Sequence, residues 1–219
     1  MDSINEKYYK KTKYNSVRQS KLESFKFLNE LYQQAECTVL VGDSIIEHWY
    51  YELFLDFEHQ SGQTVINRGI GGDTSDRMSE RLIENVVSIR PKNVAILIGT
   101  NDFDYDAPQE FTYCNIERAI TTLKSSLPYT NIILISILPV NKGVLLLSSP
   151  VGRRNNEAID ELNIKLASLA AEKGVAFYNA NTPLKDKKGR LDKAYTADGL
   201  HLNAQGYEKI TKDLIALFK

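Results

Sequence analysis

The sequence predicts an α/β fold, a three-layer α/β/α sandwich built on about five parallel strands. Three observations lead there. Short β-branched apolar runs recur along the chain, longer segments with helical apolar spacing separate them, and the runs are apolar at successive rather than alternate positions. A strand buried on both faces reads as a continuous apolar run, and such strands belong to parallel sheets covered by helices. Strand, helix, strand repeated along a chain implies right-handed crossovers with helices on both faces.

The elements follow in order. A basic stretch over residues 1–21, with Lys7, Lys10, Lys11, Lys13, Arg18 and Lys21 against Asp2 and Glu6, reads as a solvated, partly frayed lead-in. A helix is expected over Leu22 to Ala35, then a strand over Thr38 to Gly42 (TVLVG). TVIN, from Thr64, is the second strand. Thr74 to Ile89 reads as one helix, with Met78, Leu82, Ile83, Val86 and Val87 on one face and Pro91 beyond its end. NVAILIG, from Asn93, is the third strand, and Pro108 to Leu127 is helical. NIILISIL, from Asn131, is the fourth strand. The stretch from Pro139 to Arg154 is the least regular, mixing breakers with the apolar run Val144 to Leu147. A helix over Asn155 to Lys173 ends at Gly174, a natural C-cap. VAFYN, from Val175, is the fifth strand, and Ala204 to Phe218 closes the sequence as a helix.

Composition narrows the function classes. A chain of 219 residues without a linker, repeat or low-complexity tract is read as one domain. Its hydrophobic content of 42% is that of a globular protein with a sizeable core. A net charge of −1 gives no general attraction to nucleic acid or to an anionic membrane. Two cysteines, Cys37 and Cys114, make neither a disulfide framework nor a CxxC metal spacing. No apolar run at the N-terminus resembles a signal peptide, and none reaches the ~18 residues of a membrane span. A cytoplasmic location is expected.

In open α/β sheets, ligands bind beyond the carboxyl ends of the strands. Chemistry-bearing residues cluster at those ends here. GDSI (Gly42 to Ile45) follows the first strand, NRGIGGDT (Asn67 to Thr74) the second and GTND (Gly99 to Asp102) the third. DGLH (Asp198 to His201) follows the fifth across a loop. A serine hydroxyl needs a base to take its proton, and the base needs an orienting partner. Attack on an ester carbonyl also needs donors for the oxyanion. Ser44 supplies the nucleophile and a backbone N–H, and His201 the base, held by Asp198. Gly72, read as opening a helix, supplies a second N–H, and Asn101 a side-chain amide. No metal or organic cofactor enters this chemistry.

These four blocks resemble the SGNH (GDSL-type) hydrolases, serine esterases and lipases on a flavodoxin-like sheet. The resemblance runs from about Val39 to Tyr207. It implies Ser44 as nucleophile, Gly72 and Asn101 in the oxyanion hole, and Asp198 with His201 as the last block. The GIGGDT form is most similar to the branch containing intracellular platelet-activating-factor acetylhydrolase subunits. That implies a short-chain ester of a small molecule, lipid-derived or an acetylated sugar, and a homodimer as one assembly to consider. Acyl transfer on the same machinery and a non-catalytic binding module are the alternative readings.

Rival roles are open at several positions. Ser44 could be a helix N-cap, and Asp43 a structural hydrogen-bond acceptor. GIGGDT could hold phosphate, although it is neither GxGxxG nor GxxxxGK[ST]. Asn101 could be a turn residue before Asp102, the natural cap there. His48, four residues after Ser44, could be a base, pack, or line the cleft mouth with Trp49 and Tyr50. His59 reads as a surface residue. Asp192 is the rival orienter for His201. Cys114 sits mid-helix without a basic neighbour, a poor nucleophile. Leu145 and Leu146, within the run Val144 to Leu147 after the fourth strand, are placed as acyl-pocket wall or lid, with a core element between loop breakers as the alternative.

Overall fold

The computed structural model describes residues 15–32, 36–144 and 150–219. Five strands form one parallel sheet: β1 (Cys37–Gly42), β2 (Thr64–Gly69), β3 (Asn93–Leu97), β4 (Asn131–Ile135) and β5 (Ala176–Tyr178). Their order is β2-β1-β3-β4-β5, the doubly wound order of flavodoxin-like sheets. The connections reverse direction between β1 and β3, which opens a crevice at the carboxyl ends of those two strands.

The apolar runs divide their side chains between two cores. Val39 and Val41, Val94 and Ile96, and Ile132 and Leu134 face one side. There they pack on α4 (Ser75–Glu80), α5 (Leu82–Asn85), α7 (Gln109–Ser126) and α8 (Asn156–Lys173) through Met78, Leu82, Ile116, Leu123, Leu162 and Leu166. Leu40, Ala95, Leu97, Ile133 and Ile135 face the other side. There they meet α2 (Ser44–Glu47) and α9 (Ala204–Ile215) through Ile45, Ile46, Tyr207, Ile210 and Leu214, with Trp49 and Phe54 beside them. Helices on both faces make the three layers expected from continuous apolar strands.

Three elements depart from the sequence reading. Helix α1 spans Asn15–Leu31, so residues expected in a frayed lead-in are helical and tethered: Arg18 pairs with Asp73 and Lys21 with Glu47. The expected helix over residues 74–89 is three pieces, α4, α5 and a 3-10 turn at Val87–Ile89. The first break falls at Arg81, whose backbone leaves the helix (φ −101°, ψ 1°). Its buried guanidinium turns inward to Asp73 Oδ2 (2.7 Å) and the Gly42 carbonyl (2.9 Å). A short helix, α6 (Thr100–Asp104), follows β3, and its N-cap position is Gly99 rather than Asp102. Asp102 instead accepts from the N–H (3.0 Å) and hydroxyl (2.5 Å) of Ser75, capping α4 from outside it. Of the expected pocket run, Leu145, Leu146 and Leu147 lie outside the described residues.

Candidate active site

Ser44 stands directly after β1, at the first position of α2. Asp43 is the N-cap, its Oδ1 accepting from Ile45 N–H at 2.9 Å. With the capping done by its neighbour, the Ser44 hydroxyl is free to turn toward the cleft. There Ser44 Oγ lies 3.0 Å from His201 Nε2. On the other side of the ring, His201 Nδ1 is 2.6 Å from Asp198 Oδ2. The rival orienter Asp192 lies elsewhere, its carboxylate accepting from Ala194 N–H at 2.9 Å.

The DGLH loop holds this pair by local bonding. Gly199 turns the chain with φ +84°, and a Cβ there would lie 2.2 Å from the Asn141 carbonyl oxygen. The turn brings the N–H groups of Leu200 and His201 onto Asp198 Oδ1, each at 2.8 Å. Thr196 closes the loop: its hydroxyl donates to the His201 carbonyl (2.7 Å) and accepts from Gly199 N–H (2.9 Å). Burial pushes the Asp198 carboxyl up, but the bonds from the His201 ring and the two backbone N–H groups outweigh it. The carboxyl therefore sits below its ordinary value and is ionised at neutral pH. Asn203 then caps α9, accepting from Gly206 N–H at 3.0 Å. The two layers are stitched by Tyr207, whose hydroxyl donates to the Ile45 carbonyl (2.7 Å), and by Trp49, whose indole N–H donates to Thr211 (2.9 Å).

Gly72 does not open a helix; it lies two residues before the N-cap of α4, in the turn after β2. Its φ of +79° is the conformation that favours glycine, although a Cβ there would meet open space. The neighbouring Gly71 N–H is taken by Glu47, whose other oxygen holds Lys21. The next residue, Asp73, is buried and clamped between Arg18 Nε (2.9 Å) and Arg81 Nε (2.7 Å). Its carbonyl accepts from Asn101 Nδ2 at 2.9 Å. Asn101 in turn accepts on Oδ1 from Arg154 Nη2 at 2.7 Å. Asn101 is thus the residue that joins the loop after β2 to the end of β3.

The remaining histidines and cysteines stand aside. His48 is exposed, its ring centroid 5.2 Å from that of His201 at a tilted angle, so it flanks that ring. His59 is exposed on α3 (Leu55–Ser61). Cys114 is exposed on α7, and burial together with its bond to Glu110 pushes its thiol up. Among the described residues no group of three or more His, Cys, Asp or Glu side chains could hold a metal ion, and no helix is long and apolar enough to cross a membrane.

Two buried acids lie close behind the site. Burial pushes Asp43 and Asp102 each up to about 7, against the pull of hydrogen bonds from Ile45 and Ser75 respectively. Asp43 Oδ2 has no hydrogen-bond partner among the described residues. Sequence reasoning misses Arg154 and Thr196, and it weighs Glu47 only as a weak partner for His48 rather than as the acceptor for Gly71 N–H. The Arg153–Arg154 pair ending an irregular stretch was the available signal for the first. Thr196 offered none.

Comparison with known proteins bears on the family. Residues 40–209 match the model of the GDSL-like lipase/acylhydrolase family. The chain is 30% identical over 184 residues to an N-acylneuraminate cytidylyltransferase of Escherichia coli O18:K1:H7. That match covers 82% of this chain, which spans only 40% of the relative. It is 26% identical to the bovine (Bos taurus) platelet-activating factor acetylhydrolase IB subunit alpha1, over 82% of this chain and 73% of the relative. Among solved structures, a Streptococcus pneumoniae protein described in connection with platelet activating factor superposes with a TM-score of 0.81 at 32% identity, covering 91% of this chain and 92% of the other. A GDSL-like lipase of Bacteroides thetaiotaomicron gives 0.72 at 27% identity, covering 89% and 97%. The chain belongs to the GDSL-like lipase/acylhydrolase family and is an ester-cleaving hydrolase.

Proposed function

We propose that the protein cleaves a short-chain carboxylic ester through an acyl-enzyme on Ser44. The observation that carries this reading is the continuous chain from Ser44 Oγ to His201 Nε2 (3.0 Å) and from His201 Nδ1 to Asp198 Oδ2 (2.6 Å). In the proposed cycle His201 takes the Ser44 proton as the hydroxyl oxygen attacks the ester carbonyl. The N–H groups of Ser44 and Gly72 and the Asn101 amide stabilise the oxyanion. His201 then returns the proton to the leaving alcohol, and water activated by the same ring releases the acid. Asp198 stays ionised throughout, which keeps the Nδ1–H tautomer and balances the imidazolium.

Relatives named for an acetylhydrolase and for an N-acylneuraminate enzyme support short acyl groups on a lipid or a sugar as the substrates to try first. The test is a chain-length series of nitrophenyl esters beside O-acetylated sugars, an O-acetylated N-acylneuraminate among them. Ser44→Ala should lose about 10⁴–10⁶-fold in kcat, and a fluorophosphonate should label the parent at Ser44 alone. Parent-like turnover by purified Ser44→Ala would remove the nucleophile assignment.

A further inference from the structure

Arg154 has no place in the motif blocks, yet its guanidinium is buried beside the proposed oxyanion hole, with only 3% of the residue exposed. Each of its nitrogens is engaged. Nε donates to Thr100 Oγ1 (3.0 Å). Nη1 donates to the carbonyls of Pro150 (2.9 Å) and Val151 (3.1 Å) and stands 3.4 Å from Asp104 Oδ1. Nη2 donates to Asn101 Oδ1 at 2.7 Å, a length typical of a charge-assisted bond. Four anchors fix the guanidinium plane, so the bond to Asn101 is directed by a rigid group.

The chemistry of Asn101 gives that bond a function. A guanidinium can only donate, and the Asp73 carbonyl can only accept. Together they admit one orientation of the Asn101 amide, with Oδ1 on Arg154 and Nδ2 on Asp73. The flipped amide would set N–H against N–H and oxygen against oxygen. One Nδ2 hydrogen serves Asp73, and the second has no partner among the described residues. A cationic donor on Oδ1 also draws electron density from nitrogen to oxygen, which strengthens the remaining N–H as a donor. Resting on the reading of Asn101 as an oxyanion donor, we propose that Arg154 is a positioning residue for transition-state stabilisation. It locks the Asn101 amide in its donating orientation and polarises it toward the developing oxyanion.

Such a role acts on the transition state, so it should appear in kcat and leave KM nearly unchanged. Lysine keeps the charge but cannot span the four anchors. Arg154→Lys should lower kcat about 10–100-fold, short of the ~10²–10³-fold expected for Asn101→Ala. Pairing the two substitutions is decisive. In the Asn101→Ala background, Arg154→Lys should cost less than about threefold, because the amide it serves is gone. If Arg154 only closed the 150–154 turn, the cost would be the same in both backgrounds, and that result overturns the proposal. A parent-like kcat in Arg154→Lys overturns it too. A parent-like kcat in Asn101→Ala would instead sink the oxyanion reading itself, and the proposal with it. Should Arg154→Lys fail to fold, as read by its thermal midpoint, Thr100→Ala removes the Nε anchor more gently. It should lower kcat severalfold in the parent and not at all beside Asn101→Ala; an equal loss in both overturns the proposal.

Discussion

At Ser44 two tasks that a single serine often combines are split between neighbours. Asp43 caps the short helix, and the serine hydroxyl faces His201. A similar economy governs Asp198, where one oxygen holds the loop backbone and the other holds the ring. Asp198→Asn keeps an acceptor for the backbone N–H groups but sets an N–H₂ against Nδ1, which favours the wrong tautomer. A kcat loss on the order of 10³ or more is expected at neutral pH, with the thermal midpoint little changed. A loss below about tenfold would mean that the ring is oriented by something else. Ser44, Gly72 and Asn101 were legible because each follows the carboxyl end of a strand, where topology brings side chains together, whereas Asp198 and His201 lie beyond a loop after β5 and were legible by their spacing. Arg154 was not legible, because its bond to Asn101 spans 53 positions and depends on the path of an irregular connection. Thr196 was hidden for the opposite reason: its bonds are local, and many threonines in loops carry the same short-range pattern.

The departures at the level of elements share one cause. Sequence periodicity reports which face of a segment is apolar, whereas buried charges override it. Arg81 breaks a helix whose apolar spacing runs on past it, because its guanidinium bonds Asp73 and Gly42 instead of solvent. Helix α1 starts earlier than its apolar content suggests because Arg18 and Lys21 find buried or half-buried acids. Further along, Asn29 accepts from Arg68 Nη2 (2.7 Å), and Phe25 lies under the same guanidinium (4.7 Å to the ring centroid). This helix precedes the family-matched residues, yet it grips the loop carrying Gly72 from two sides. Arg18→Ala leaves Asp73 with Arg81 alone and should cost about 1–3 kcal/mol, measurable as a lower urea midpoint. If the clamp also holds the loop's shape, kcat should fall severalfold at a temperature where the variant is folded. An unchanged midpoint would show that Arg81 suffices.

For the molecule as a whole, the parallel sheet and the three layers were readable from continuous apolar strands and their spacing, whereas the strand order β2-β1-β3-β4-β5 came only with the structure. The charge buried beneath the carboxyl edge was not, since a sequence does not reveal which acids go inside. Asp43 and Asp102 are pushed by burial to about 7, above the ~3.9 of an unfolded aspartate. Between those values the folded state binds more protons than the unfolded one, so stability falls as pH rises. Their contribution is complete below about pH 4 and lost as pH passes through about 7. Asp198 and Asp186 act in the opposite sense, their carboxyls lying below the ordinary value, and they lose stabilisation only in stronger acid. The thermal midpoint should therefore be higher near pH 5 than near pH 8. Asp43→Asn retains an acceptor for Ile45 N–H and should narrow that gap. An identical gap in parent and variant would remove Asp43 as a source of it.

The contact between Ser44 and His201 joins residues 157 positions apart. A ribosome makes Ser44 long before it makes His201, and α9 beyond His201 is held by the bonds of Tyr207 to Ile45 and of Thr211 to Trp49. On the proposed mechanism, hydrolytic competence therefore waits on the docking of α9. Nascent chains, and folding intermediates in which α9 has not docked, carry the serine without His201 held beside it. On that mechanism, ester cleavage doubles as a reporter that α9 has docked on the sheet.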